Sequence, residues 1–322
     1  SGMSEPVARL FQQYFTIAVY SLIGIFANYT LLGFFIGIQR AMLGLVMALI
    51  NMTVSMTCSC YCVLVLGMKI SGIAIGLVMG EISMLVFALS MSLYIFKQQS
   101  ILSLDTNRPA LLELAPWIKF LTTNRDILIR SLCIVCVIQS FFILSTYLGK
   151  NNLAANQLLF QLSFLLMATL DAIQCANETL VGEAFARDRL SQLRHTITIT
   201  ACLMLAIALI YTLVLTAGRG RFIHSLTSLA EVRSMAYRVS ALALLLPLLS
   251  APSTWLDGIF IGLLQTRRLR NAMLISATGY ATCVTILIPW GNRGLWMALL
   301  LFFVFRSVTL GHSLRVVLRQ LQ

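Results

Sequence analysis

The chain has 322 residues, of which 59% are hydrophobic and 11% charged. A water-soluble domain carries about 25% charged residues, so the composition excludes one and implies a polytopic membrane protein. The formal net charge is +12, but the cations sit in short loops between apolar runs. That is a footprint of membrane topology rather than of a nucleic-acid-binding face, and no nucleic-acid partner is expected.

Nine apolar runs reach the length of about 20 residues that a bilayer demands. They are Tyr14–Ile38, Ala41–Leu66, Ile70–Phe96, Ile127–Leu148, Leu153–Ala184, Thr196–Ala217, Val239–Leu264, Ala272–Trp290 and Gly294–Leu314. The fold class is an all-α polytopic membrane bundle. Helical steps of three and four residues place Tyr14, Ser21, Gly24 and Asn28 on one stripe of the first run, and Asn51, Ser55, Cys58 and Cys62 on one stripe of the second. Uncharged stripes of this kind usually make hydrogen bonds between helices, although Asn28 and Asn51 are also candidates to line a cavity. The third run opens with Gly72, Gly76 and Gly80, a face that lets a neighbouring helix approach closely. Glu81 follows it, as a cavity acid or a partner across that contact. The loop from Lys97 to Asp126 contains LLELAPWIKFL, in which Leu111, Leu112, Leu114, Trp117, Ile118 and Leu121 predict a short interfacial segment. Gln139 in the fourth run is a weaker cavity candidate.

The fifth run is over-long, and Asp171, Gln174, Cys175, Glu178 and Gly182 share one stripe of it. A carboxylate taken out of water is harder to ionise and can exchange a proton, which is the chemistry a proton-coupled carrier needs. Glu183 and Asp188 fall at the membrane boundary, where Arg187 or Arg189 can pair with Asp188. The seventh run is the one around which the chain is organised. It holds Asp257 in mid-span, with Ser250, Ser253 and Thr254 on the same face. Pro247 and Pro252 each remove a backbone donor and predict a kink. A broken helix with an acid beside the break is the pattern of a site inside a transporter.

Phe35-Ile36-Gly37 recurs as Phe260-Ile261-Gly262, an offset of 225 residues (262 − 37), so runs one to three echo runs seven to nine. Runs four to six have no earlier echo. The expected ancestral plan is six plus six helices, and this chain is expected to lack about 100 residues, three helices, before Ser1. Residues 1–96 then form a three-span unit, 97–126 an inter-unit loop, and 127–322 a six-span unit. Lysines and arginines divide as fourteen on one side against eight on the other, with Arg306 inside the last run. The richer side is expected to be cytoplasmic, with the N-terminus of this chain outside and the C-terminus inside. The eight cysteines imply no disulfide framework, because Cys58, Cys60 and Cys62 cannot converge from one helix and the rest are scattered. No zinc spacing, phosphate loop or nucleophile motif is present, so neither a metal, a cofactor nor an enzyme is expected.

WLDGIFIGLLQTRRLRNAML and IPWGNRGLWMALLLFFVFRSVTLG resemble the last three helices of the multidrug and toxic compound extrusion (MATE) transporters, most closely the DNA-damage-inducible, DinF-like branch. LTTNRDILIRSLC and ATLDAIQCANETLVGEAFARDR are similar to that branch's seventh and eighth helices, and LLGFFIGIQRAMLGLVMALIN and GMKISGIAIGLVMGEI to helices four to six. The resemblance implies a two-lobe antiporter of twelve helices, here half an N-lobe and a complete C-lobe, in the bacterial inner membrane. It implies rocker-switch export of small amphipathic or cationic compounds by a monomer, against a proton or Na+ gradient. Asp257 matches the family's helix-ten acid and Asp171 the branch's helix-eight acid. With Glu178 they are the candidate coupling residues, and Gln174, Ser253, Thr254, Asn28, Asn51 and Gln139 are candidates to line the cavity. The family's second helix-five acid is absent after Asn51. Two other readings are a truncated, non-transporting remnant, whose Gly72 face and polar stripes would lie exposed to lipid, and a lipid-linked precursor flippase of the same superfamily, which should have a more cationic cavity.

Overall fold

In a computed structural model the described residues are 5–98, 114–187 and 189–320. They form eleven α-helices and no strand. The chain divides into two compact units, Ser1–Leu111 and Leu112–Gln322. Unit 1 holds α1 (Glu5–Ala18), α2 (Ser21–Gly37), α3 (Ala41–Leu64) and α4 (Lys69–Gln98). Unit 2 holds α5 (Leu114–Tyr147), α6 (Lys150–Ala186), α7 (Leu190–Leu226), α8 (Ala230–Ala243), α9 (Leu246–Gly262), α10 (Thr266–Leu287) and α11 (Asn292–Gln320). A 3-10 turn, Ile288–Trp290, precedes α11.

Seven of these helices are long and apolar enough to cross a membrane. Counting each of the bent pairs α1–α2 and α8–α9 as one span gives nine among the described residues. Large side chains such as Ile23, Leu64 and Leu213 stay exposed, as they do on helices whose outer face meets hydrocarbon. The expected interfacial segment is not separate. The part of it that is described belongs to the first turns of α5, which continues unbroken into the fourth span for 34 residues in all. Leu111 and Leu112 lie outside the described residues.

Two bends shape the site-bearing helices. The seventh run breaks ahead of Pro247, between α8 and α9, with a 42° bend. Pro247 has no N–H to donate, and its ring excludes the carbonyl four residues earlier, at Ala243. That carbonyl instead accepts a hydrogen bond from the Ser163 hydroxyl at 3.3 Å, so the freed group is satisfied inside protein. The first run shows no proline at its centre. It too is broken, by 46° between α1 and α2.

The internal repeat reappears in backbone geometry. The bends fall 225 residues apart, since α2 starts at Ser21 and α9 at Leu246 (246 − 21). Gln39 has φ 62° and Leu264 has φ 56°, again 225 apart (264 − 39). A positive φ in a non-glycine residue is uncommon, so a matched pair is specific. Gly67 and Gly291, in the turns before α4 and α11, both take φ 65°, which glycine adopts without steric penalty.

In unit 1 the glycine face of α4 is covered. Gly72, Gly76 and Gly80 are buried against α3, and a Cβ on Gly80 would meet Asn51 Oδ1 at 2.6 Å. The expectation that this face lies bare to lipid in a shortened chain is therefore corrected. Phe35, Met47, Ala88 and Ile95 form the apolar core beside it. In unit 2 the core centres on Trp296, fully buried in α11, with the Phe141 ring edge-on at 5.0 Å.

Candidate functional site

In unit 2, α9 is pressed against α6. A Cβ on Gly258 would meet the Gln174 carbonyl oxygen at 2.6 Å, and one on Gly262 would meet that of Glu178 at 2.6 Å. This contact sets Asp257, one residue before the first glycine, beside the polar stripe of α6. Asp257 is 1% exposed. It accepts hydrogen bonds from two arginines, Arg130 of α5 and Arg306 of α11, and both Nη2 groups reach the same oxygen, Oδ2. The other carboxylate oxygen, Oδ1, is buried with no partner, and so is Arg130 Nε. Charge buried in this way persists only when paired.

Asp171 is more exposed, yet close enough to feel the charges of Asp257, Arg130 and Arg306. Glu178, half-buried, feels Arg130. The three acids singled out in the sequence thus share one electrostatic neighbourhood. Of the cavity candidates in this unit, Ser253 and Thr254 are buried on the Asp257 helix, and the Ser253 hydroxyl donates to the Ser250 carbonyl at 2.8 Å. Gln174 is half-buried at the α6–α9 contact. Gln139 is exposed and falls on the opposite face of α5 from Arg130, so it is not brought to this cluster. Glu183 pairs with Arg187 at 2.9 Å at the helix end, whereas Asp188 lies outside the described residues. A separate knot fastens the same helices. Asn177 donates to the Trp255 carbonyl at 3.1 Å, and Thr200 donates to Asn177 Oδ1 at 3.0 Å.

Unit 1 carries its own carboxylate. Glu81 of α4 is 9% exposed and accepts from Asn28 Nδ2 on one oxygen and from Asn51 Nδ2 on the other, each at 2.8 Å. Asn28 also donates to the Glu81 backbone carbonyl at 3.0 Å, and its own Oδ1 is buried without a partner. A cavity of about 640 Å³ opens beside this triad, lined by Asn28, Asn51, Ser55 and Glu81 and by Met52, Met56 and Met84. Methionine is flexible and polarisable, which suits a wall meeting varied shapes. The two asparagines of separate stripes therefore meet at one acid.

Two arginines of these clusters have no assigned role in the sequence, and the acid Glu81 has one without named partners. Arg130 was counted among the cations that set orientation. It is instead an interior residue, half-buried against Asp257, and leaves that count. Arg306 in mid-span of α11 was the visible signal, since an arginine within lipid needs a partner. Glu81, read as a cavity acid or a partner across the glycine contact, is both: it lines the cavity and bonds Asn51 of α3, and Asn28 joins it as well.

The MatE family model matches residues 127–287. The DNA damage-inducible protein F of Escherichia coli (strain K12) is 29% identical over 314 residues, covering 96% of this chain and 67% of that protein. Among solved structures, the Vibrio cholerae MATE transporter VcmN in its bent form superposes with a TM-score of 0.82 at 14% identity, over 99% of this chain and 72% of that one. A multidrug resistance MATE family transporter of the MOP superfamily, in its outward-facing conformation, gives 0.83 at 14% identity, over 99% and 72%. At these identities the structures speak to the fold.

Proposed function

Since the chain belongs to the MatE family and is therefore a multi-pass membrane transporter rather than an enzyme, we propose that it exports small amphipathic or cationic compounds across the bacterial inner membrane. In this reading a proton or Na+ travels the other way, and a monomer alternates between outward- and inward-open states. The observation that carries it is Asp257, a carboxylate held 1% exposed in the second half of a bent span, with one oxygen tied to two arginines and the other without a partner among the described residues. A cation arriving at Oδ1 would compete with the arginines, and the ion-pair set would change with occupancy. Asp171 and Glu178 supply further negative charge beside it. In unit 1, Glu81 is the buried acid, and the methionine-walled cavity beside Asn28 and Asn51 is where an apolar cation fits.

The test is export of a cationic dye from proteoliposomes under an imposed proton or Na+ gradient. Wild type should export only with a gradient, and Asp257→Asn and Glu81→Gln should each slow export at unchanged protein level. Wild-type export by a folded Asp257→Asn protein would remove Asp257 from coupling. One observation favours a second reading. Two guanidinium groups in the interior of unit 2 suit the phosphate of a lipid-linked precursor better than a cationic drug. Binding of an undecaprenyl phosphate to purified protein, lost on Arg130→Gln, would favour that flippase.

A further inference from the structure

The end of unit 2 where α5 meets α6, α7 meets α8 and α10 meets α11 holds a second cavity, unconnected with Asp257. It has a volume of about 400 Å³ and is lined by Asn152, Arg238, Trp290, Asn292 and Arg293, with Met235 and Val239. Arg238 and Arg293 are both exposed and have no hydrogen-bond or ion-pair partner among the described residues. Two other cations at this end are engaged. The Arg233 Nη2 group donates to the Thr227 carbonyl at 3.0 Å, and the Arg219 guanidinium lies 5.5 Å from the Tyr237 ring centre. Glu231 is the only acid here among the described residues, and it is occupied by Asn151 Nδ2 at 2.6 Å. Two guanidinium groups therefore face one hollow with no carboxylate to neutralise them.

The asparagine side of the cavity is fixed in place. Asn292 and Asn156 exchange hydrogen bonds at 2.7 and 2.9 Å, Trp296 Nε1 donates to Asn156 Oδ1 at 2.9 Å, and Asn156 donates to the Ser145 hydroxyl at 2.8 Å. Asn292 donates in turn to Asn152 Oδ1 at 3.4 Å. One wall of the hollow is thus held by a hydrogen-bonded polar network.

We infer that this cavity binds the phosphate of an anionic phospholipid. Guanidinium forks match phosphate oxygens in geometry and charge. The site lies where the apolar spans end, and Trp290 is 64% exposed there, as interfacial tryptophans are. Ile286, one turn earlier on α10, and Tyr147 at the end of α5 are also exposed, so an acyl chain has apolar surface to follow from the same end. A free inorganic phosphate would use the arginines but gain nothing from that surface.

The experiment measures retention of phosphatidylglycerol on the purified full chain by native mass spectrometry, with phosphatidylcholine and inorganic phosphate as parallel arms. Phosphatidylglycerol should bind in preference to phosphatidylcholine. The Arg238→Gln/Arg293→Gln protein should bind it roughly 25-fold more weakly, about fivefold per arginine, while Arg238→Lys/Arg293→Lys retains most of the affinity. Thermal unfolding in phosphatidylcholine, the same for all three proteins, shows that the fold is intact. Equal retention of the two lipids, undiminished phosphatidylglycerol binding by the glutamine variant, or inorganic phosphate displacing the lipid would each overturn the assignment.

Discussion

Replacing Asp257 by asparagine changes little in shape and much in charge. In the native protein one buried carboxylate oxygen is shared by Arg130 and Arg306, whose side chains are 16% and 3% exposed. Asparagine keeps an acceptor oxygen but removes the negative charge, leaving two guanidinium groups to face each other out of water. Removing one partner of a buried pair costs about 3–5 kcal/mol. At about 2–4 °C per kcal/mol for a unit of this size, unfolding should fall by roughly 10 °C. Adding Arg306→Gln removes the more deeply buried cation and the repulsion together, so the double variant should unfold above Asp257→Asn alone by several degrees. The remaining arginine, Arg130, is the more exposed of the two and still feels Asp171 and Glu178. The assay is thermal unfolding of detergent-purified protein across the double-mutant cycle. If Asp257→Asn is as stable as wild type, or if the two substitutions merely add, the three charges are not energetically joined. The cycle also guards the transport experiment, because a stable double variant that still fails to export separates coupling from folding.

Three further outcomes follow from the same contacts. Gly258→Ala should destabilise unit 2 by about 1–3 kcal/mol, because its Cβ would meet the Gln174 carbonyl at 2.6 Å; reduced thermal stability checks it, and an unchanged midpoint contradicts so close an α6–α9 contact. Glu81→Leu should lower stability by about 1–3 kcal/mol by stranding the amide groups of Asn28 and Asn51, and Glu81→Gln, which keeps an acceptor, should cost less; the order of the two unfolding midpoints decides. Asn156→Leu should cost about 2–4 kcal/mol, since it leaves Trp296 Nε1 and Asn292 without their partner inside the core of unit 2; proteolysis of the α10–α11 turn should speed up if that network holds the turn.

Much of the architecture was legible from apolar run length alone, because the bilayer fixes span length and forbids unsatisfied backbone. Nine runs and a repeat placed the spans, though not the break in the first run or the length of α5. The break at Pro247 was legible because proline removes a donor, whereas the similar break at Tyr20 was not, since no residue type there demands it. The site was half legible. Asp257, Asp171 and Glu178 stood out as acids in lipid, but a stripe says only which way a side chain faces along its own helix. That Asn28 and Asn51 converge on Glu81, or that Arg130 crosses to Asp257, depends on which helices pack together. The asparagines sit 53 and 30 residues from that acid, and the arginine 127 from its partner. Gln139 shows the same limit in reverse, as a polar residue in a span whose face turns away from the charges.

The duplicated bends and the paired left-handed residues at Gln39 and Leu264 imply that a single mechanical component was copied and then given two chemistries. In one unit Glu81 is surrounded by neutral amides; in the other Asp257, which is not its repeat counterpart, lies between two cations. Neutralising the first acid would therefore leave a quiet interior, whereas neutralising the second would leave like charges in confrontation. Similar bends, of 46° and 42°, thus carry interiors of unequal charge, an asymmetry that a repeated backbone conceals.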